Sequence, residues 1–327
     1  MLKPFFSIVI PAYNRAGEVV RAIRSCQAQS CQDFEILVID DDKSTDRLED
    51  AVAALQDARI RVVSKHRGRA AAARNTGIRL ARGRYVALLD SDDQFLPDKL
   101  EVYRRQLVSR PDALLYSQNY VDRGVGRYWI KPARGLGQDE DLLDYLFVEK
   151  GWIHTSTVVL PAEVARATPY REDLSFGDDM QFAYDLWLKG VRFSLIEQPL
   201  SLYDDRRAPE RLSQTPIFKP GATPEHESFI GWVESLRPRM SRRAEAAWEA
   251  HFLSRLVAPA RPGQALGYIW QGFRSGALSG RAALQQTVQT FAPEVHRRLA
   301  DWMVRTRGEM PGAIPPGGAL PMQGQPR

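Results

Sequence analysis

The sequence predicts an α/β protein with a mainly parallel central sheet flanked by helices, followed by a C-terminal helical region. Three observations predict it. Over residues 4–118, short apolar runs alternate with stretches whose apolar residues recur at helical spacing, the pattern of right-handed crossovers between parallel strands. Residues 216–224 then place three prolines and a glycine in nine positions, a boundary signal. Beyond them the apolar spacing is helical throughout. Of the 327 residues, 44% are apolar and 26% charged, which suits a globular chain of this length. Two cysteines cannot staple it, and no apolar run approaches the roughly 18 residues of a membrane span. The apolar stretch ending at Pro11 is too short for a secretory signal, so a cytoplasmic protein with reduced thiols is expected.

Phe5–Ile10 is the first strand, and Val19, Ile23 and Cys26 mark the helix after it. Glu35–Ile39 is the second strand, and Thr45–Leu55 the second helix, with an acidic first turn. Arg59–Val63 alternates as a third strand, followed by an alanine-rich helix over 70–81. Tyr85–Leu89 is a buried strand, and Pro97 initiates a helix with Leu100, Tyr103 and Leu107 on one face. Ala113–Tyr116 closes this series. Farther on, Val121–Ile130 and Thr157–Leu160 look like strands, and Asp139–Val148 and Asp178–Leu188 like helices. Past the boundary, Trp248, Phe252 and Leu256 share one helical face. Leu266, Ile269, Trp270 and Phe273 share a second, and Val295, Leu299, Trp302 and Met303 a third. From Glu309, Pro, Gly and Gln dominate and disorder is expected. The division expected is therefore 1–215, with halves meeting near residue 118, then 216–308 helical, then a tail over 309–327.

In a parallel sheet the ligand lies beyond the carboxyl ends of the strands. Those ends carry Pro11-Ala12-Tyr13-Asn14-Arg15, Asp40-Asp41-Asp42 and Asp90-Ser91-Asp92-Asp93, and the third leads through Lys65-His66-Arg67-Gly68 to Arg74-Asn75. Uncompensated carboxylates so gathered repel one another, and a divalent cation on oxygen ligands removes that cost while neutralising a bound diphosphate. In an extended Asp-x-Asp, both carboxylates lie on one face. One such pair says little, since acidic loops after strands are common. Four strand ends supplying one set say much more.

Residues 7–46, SIVIPAYNRAGEVVRAIRSCQAQSCQDFEILVIDDDKSTD, and 68–100, GRAAAARNTGIRLARGRYVALLDSDDQFLPDKL, resemble the inverting glycosyltransferases of family 2, which have the GT-A fold. The likeness is close over the first third and looser to about residue 213. It implies a metal-dependent transfer from a UDP-sugar to a hydroxyl of a glycan or lipid-linked glycan, in surface polysaccharide synthesis, with Mn2+ or Mg2+ as cofactor. Residue by residue, Pro11 and Tyr13 match the segment along the uracil, and Asp41 the acid that accepts the base's N3–H. Arg74 matches a cation reaching the nucleotide, a helical surface arginine being the alternative. Asp90 and Asp92 match the Asp-x-Asp pair, Asp92 as direct metal ligand and Asp90 on ribose or a metal-bound water. Asp178 and Asp179 match the acid pair that opens a helix, Asp179 as the general base; helix capping is the rival reading.

Two positions depart from the family pattern. Asp185 stands where an arginine is frequent, six residues after the base. Tyr203-Asp204-Asp205-Arg206 stands where a histidine can approach the metal, so Arg206 is expected to meet the diphosphate instead. Asp42-Lys43 reads as a one-residue expansion. A non-catalytic scaffold that tethers an assembly through basic helices is the alternative these departures support. Cys26 and Cys31 read as buried thiols. Trp152 and His154 are candidates for acceptor contact.

The net charge of +5 is uneven: residues 207–327 carry 16 Lys and Arg against 9 Asp and Glu. Trp232, Trp248, Trp270 and Trp302 are interleaved there with Arg237, Arg239, Arg242, Arg243, Arg297 and Arg298. Such helices suit an anionic membrane surface, or a subdomain packed on the core or on a second subunit of a homo-oligomer. No nucleic-acid motif accompanies the charge, so no nucleic-acid partner is expected.

Overall fold

The computed structural model describes residues 3–41, 44–65, 68–174, 176–206 and 224–310. The expected boundary over 216–223, Asp42-Lys43 and the tail beyond Met310 lie outside the described residues. One nine-stranded sheet organises the chain, in the order β3-β2-β1-β4-β8-β6-β9-β5 with β7 on β6. Strands β1 (Phe6–Ala12), β2 (Phe34–Asp41), β3 (Ile60–Lys65) and β4 (Tyr85–Leu88) are parallel. β1, β2 and β4 are buried on both faces, which is why they read as continuous apolar runs rather than alternating ones. Ile8 and Ile10 point to one core layer with Val19, Ile23, Leu100 and Tyr103. Val9, Leu37 and Leu88 point to the other, under Ala71, Ala73 and Ile78.

Helix α1 (Ala16–Gln27) buries Val19, Ile23 and Cys26, and its Glu18 and Arg24 sit at the ends that the helix dipole favours. Both cysteines are buried free thiols, and burial pushes the Cys26 thiol up to about 12. Helix α2 (Leu48–Ala53) is shorter than its sequence pattern suggests. Helix α3 (Arg69–Leu80) is alanine-rich because it lies flat on the sheet: a Cβ on Gly77 would stand 2.3 Å from Val9 Cγ1. Helix α4 (Lys99–Ser109) follows the two-residue β5 (Gln94–Phe95).

The second half departs more from the sequence pattern. The expected strand over 121–130 is a hairpin: β6 (Leu114–Asp122) runs on from the 113–116 stretch, turns through Gly124 and Gly126 at positive φ, and returns as β7 (Tyr128–Lys131). The helix expected over 139–148 is mainly one π-helical turn, Asp144–Val148. A 3-10 turn at Thr155–Thr157 precedes β8 (Val159–Pro161) and α5 (Ala162–Ala167). Helix α6 spans Asp178–Leu188, as the spacing predicts. It is followed by β9 (Phe193–Asp204), twelve residues parallel to β6 that no sequence signal marked.

The C-terminal region packs onto this half through α7 (Pro224–Ser235), α8 (Arg242–Trp248), a π-helical turn at Glu249–Leu253 and α9 (Ser254–Val257). Helices α10 (Pro262–Arg274), α11 (Gly280–Phe291) and α12 (Pro293–Arg307) complete it. Its tryptophans divide. Trp232 and Trp248 are buried against Phe147, Tyr184 and Phe229, whereas Trp270 and Trp302 are 59% and 57% exposed. Arg237 is bound by Glu234, Glu245 and Glu249 rather than facing outward. Among the described residues no helix is long and apolar enough to cross a membrane.

Candidate active site

The carboxyl edge of β1, β2 and β4 gathers the charged groups. At the end of β1, Pro11 is buried and Tyr13 is 54% exposed. At the end of β2, Asp40 accepts from the Ser44 N–H and hydroxyl, which fixes the strand-end loop. Asp41 accepts from the N–H groups of Gly68 (2.9 Å) and Arg69 (2.6 Å), so its buried carboxylate holds the start of α3 at a helix N-terminus.

Arg74, on α3, joins the two halves. Its guanidinium donates to Asp90 Oδ1 at 2.6 Å and to Asp178 Oδ2 at 2.5 Å, with only 7% of the side chain exposed. It is therefore a buried bridge and not a surface arginine. Burial works against its charge, but Asp90 and Asp178 outweigh burial and keep it firmly protonated. Burial alone would raise the Asp90 carboxyl; the Arg74 charge reverses this and holds it below the usual carboxylate range. Asp92 is engaged by Arg15 at 2.9 Å.

Sequence reasoning passed over Asp93, and kept His154 only for acceptor contact. Asp90, Asp93 and His154 bring potential ligand atoms within 4.8 Å of one another. Ser156 ties the group together: its hydroxyl donates to Asp93 Oδ2 at 2.5 Å and accepts from the Asp90 N–H. Burial, then the charges of Asp92 and Asp90, push the Asp93 carboxyl well up. Burial brings His154 down to about 4, so its ring is neutral, and its Nδ1 is buried with no hydrogen-bond partner. Clustered carboxylates and a neutral imidazole with an unsatisfied nitrogen fit a divalent cation. The buried Lys99 lies behind them, bonded to Ser156 O and Ser201 Oγ, its ammonium pushed well down by burial. The aspartate run was the available signal for Asp93. For Lys99 there was none.

Asp178 and Asp179 open α6 behind Gly177, whose φ of +72° and contact with Phe229 exclude a side chain. Asp179 is pushed up to about 7, first by burial and then by the neighbouring Asp178 charge. Gly177 is the N-cap, so both acids stand in the first turn of α6, where the helix dipole favours them, and Asp179 accepts from the adjacent Met180 N–H. Asp185 accepts from Gln181 Nε2, and Gln181 Oε1 accepts from the Arg171 N–H, so this departure serves local structure. Arg206 forms a two-pronged pair with Asp204, at 2.7 and 3.1 Å, and the Asp204 N–H reaches Asp93 Oδ1 at 3.2 Å. Contacts thus unite Arg74, Asp90, Asp178 and Asp93, with Arg206 attached through Asp204. Pro11, Tyr13 and Asp41 stand along the same edge, and among the described residues no side-chain hydrogen bond or ion pair is seen between them and that group.

Residues 7–158 match the family model described as glycosyl transferase family 2. The amylovoran biosynthesis glycosyltransferase AmsB of Erwinia amylovora is 30% identical over 76% of this chain and 83% of its own length. The chain belongs to glycosyl transferase family 2. The enzyme is also similar to the succinoglycan biosynthesis protein ExoO of Rhizobium meliloti, with 44% identity over 34% of this chain and 30% of that protein. The putative colanic acid biosynthesis glycosyl transferase WcaA of Escherichia coli is 36% identical over 37% of this chain and 44% of its own. Among solved structures, S. aureus TarS 1-349 in complex with UDP-GlcNAc superposes over 92% of this enzyme and 91% of that chain, with TM-score 0.59 and 17% identity. The mannosyltransferase PcManGT from Pyrobaculum calidifontis, in complex with GDP-Man and Mn2+, covers 94% and 87%, with TM-score 0.55 and 18% identity. The fold is that of the GT-A glycosyltransferases.

Proposed function

We propose that this glycosyltransferase moves a sugar from a UDP-sugar to a hydroxyl of a glycan or lipid-linked glycan, inverting the anomeric centre, in polysaccharide synthesis. One observation carries the reading: Asp179, a carboxylate poised at about 7, opens a helix whose Asp178 is tied through Arg74 to the strand-end acid Asp90. A general base works best with its pKa near the working pH. Asp179 takes the acceptor hydroxyl's proton as that oxygen bonds the anomeric carbon and the bond to the diphosphate oxygen breaks on the opposite face. Asp178 is held in an ion pair by Arg74. Arg74 is thus a positioning residue. Asp41 accepts the N3–H of uracil, with Pro11 and Tyr13 beside the base, and Arg206 lies toward the diphosphate.

Asp90 and Asp93 with His154, and Asp92 on release from Arg15, would hold Mn2+ or Mg2+, which would supply positive charge to the departing diphosphate. The names of the polysaccharide-synthesis relatives and the UDP-GlcNAc complex of TarS support the donor and pathway class. The same reading assigns residues 1–118 to the donor, 119–215 to the acceptor, and 216–308 to closing the acceptor side. It also turns the exposed Leu266, Trp270, Phe273 and Leu284 toward an anionic membrane surface at the cytoplasmic face, since these side chains line an open apolar groove on an arginine-rich region.

Calorimetry with UDP and GDP, with and without Mn2+, tests the donor site. UDP should bind more tightly than GDP, require the metal, and fail to bind Asp92→Ala. Asp179→Asn should bind UDP normally and lose transfer. Metal-independent UDP binding, or near-normal turnover by Asp179→Asn, would refute the respective assignment.

A further inference from the structure

A cleft of about 380 Å³ opens between the β6–β7 hairpin, the segment from Leu146 to Trp152 and the C-terminal helices. It adjoins the acids described above. Met180, next to Asp179, lines it, and so do Trp152 and Tyr203, whose rings pack on His154 at centroid distances of 4.9 and 4.7 Å.

The charge in this cleft is out of balance. Its one lining acid among the described residues is Asp205, which is engaged by Arg123 at 3.0 Å, while Asp301 takes another Arg123 nitrogen at 2.7 Å. Lys131 and Lys150 line the same walls and form no ion pair with any carboxylate among the described residues. Protein on several sides pushes the Lys150 ammonium down, and the nearby charges of Lys131 and Arg255 push it further the same way. Holding like charges together in a partly dehydrated cleft is unfavourable until an anion enters.

A second, independent feature points to a hydroxyl-bearing ligand. His251 lines the cleft, is 91% buried, and its Nε2 has no partner. Its Nδ1 lies 2.8 Å from Gln286 Oε1, and Gln286 Nε2 donates to Thr290 Oγ1, so the ring hydrogen belongs on Nδ1. Burial keeps the ring neutral, and Nε2 therefore offers a lone pair to a donor inside the cleft.

We propose that this cleft is the acceptor subsite and that it takes a sugar carrying an anionic oxygen group, carboxylate or phosphate, near the hydroxyl that is glycosylated. Lys131 and Lys150 receive the anion, His251 Nε2 accepts a sugar hydroxyl, and Trp152 and Tyr203 offer ring faces to the pyranose. The assignment rests on reading Asp179 as the base, since that places the reacting hydroxyl at the Met180 end.

Saturation-transfer NMR on the full chain with three probes tests it: methyl glucoside, methyl glucuronide and an octyl diphosphate ester of glucose. At least one anionic probe should bind about tenfold more tightly than the neutral one, and the preference should shrink with salt. The Lys131→Gln, Lys150→Gln double variant should lose that preference while UDP binding with Mn2+ is unchanged. Preference for the glucuronide identifies an acidic sugar; preference for the diester identifies a lipid-diphosphate carrier. Equal binding of neutral and anionic probes, or a preference that survives in the double variant, overturns the proposal. A wild-type protein that shows the charge preference but no UDP binding would leave the cleft assigned and overturn the donor reading instead.

Discussion

Replacing Asp178 by asparagine should make Asp179 a stronger acid. The Asp179 carboxyl is pushed up to about 7 from an ordinary 3.8. Burial of its own carboxyl is the largest cause and the Asp178 charge the next. The substitution preserves size and removes the charge. It also leaves Arg74 with one carboxylate fewer, so more of its positive charge acts on Asp179, in the same direction. The midpoint should fall. A base acts when ionised, so UDP release from a UDP-sugar should rise with pH through about 7 in the wild type, and its acid limb should move to lower pH in the variant. Stability carries the opposite sign. A raised carboxyl pKa means that the folded state binds more protons than the unfolded chain between about 4 and 7, so this group's contribution falls as pH rises across that window. The direct assay is a titration of the metal-free protein, observing the Asp Cγ carbons after selective 13C labelling. A wild-type Asp179 midpoint near 4, or a variant midpoint unmoved or higher, would refute the electrostatic account of the base.

Arg74→Ala should cost about 3–5 kcal/mol, since two acids lose their buried partner, and thermal unfolding should drop by about 10 °C; Arg74→Lys should lose less. Unchanged melting in the alanine variant would mean that the bridge does not hold the halves together. Gly177→Ala forces a Cβ into φ +72° and against Phe229 at 2.1 Å, so chemical denaturation should show a loss of about 2–3 kcal/mol. His154→Ala should weaken Mn2+ binding measured by calorimetry without UDP by about tenfold, and an unaltered affinity would remove His154 from the donor set. The double substitution Trp270→Ala, Phe273→Ala should lower co-sedimentation with phosphatidylglycerol vesicles by about tenfold, whereas a shift in oligomeric state alone would assign that face to a second copy.

The first half was legible because β1, β2 and β4 are buried on both faces and its helices are one-faced, so each element's period survives in the local sequence. α6 was legible for the same reason, as was Asp179 at its first turn. β9 was not: its exposure alternates irregularly around Pro199, and its strand character comes from pairing with β6, not from its own residues. The hairpin at 122–128 was read as one strand because Gly124 and Gly126 are short interruptions in an otherwise β-prone stretch. The tryptophans of the C-terminal helices looked alike in sequence, yet Trp232 and Trp248 are core and Trp270 is surface, because which helical face meets the rest of the chain is set by tertiary packing.

By itself the sequence determined the fold, the carboxyl edge of its parallel strands, and the acids that stand there. Those properties follow from local periodicity and from residue types at strand ends. Only the tertiary structure decided how these groups are paired. Arg15 meets Asp92 across 77 positions and Arg74 meets Asp178 across 104, and His154 stands by Asp93 because the turn ahead of β8 packs on the end of β4. Charge, protonation and the uneven balance of the cleft beside β6 and β7 depend on burial and on neighbours in space, and neither is written in the spacing of a single chain.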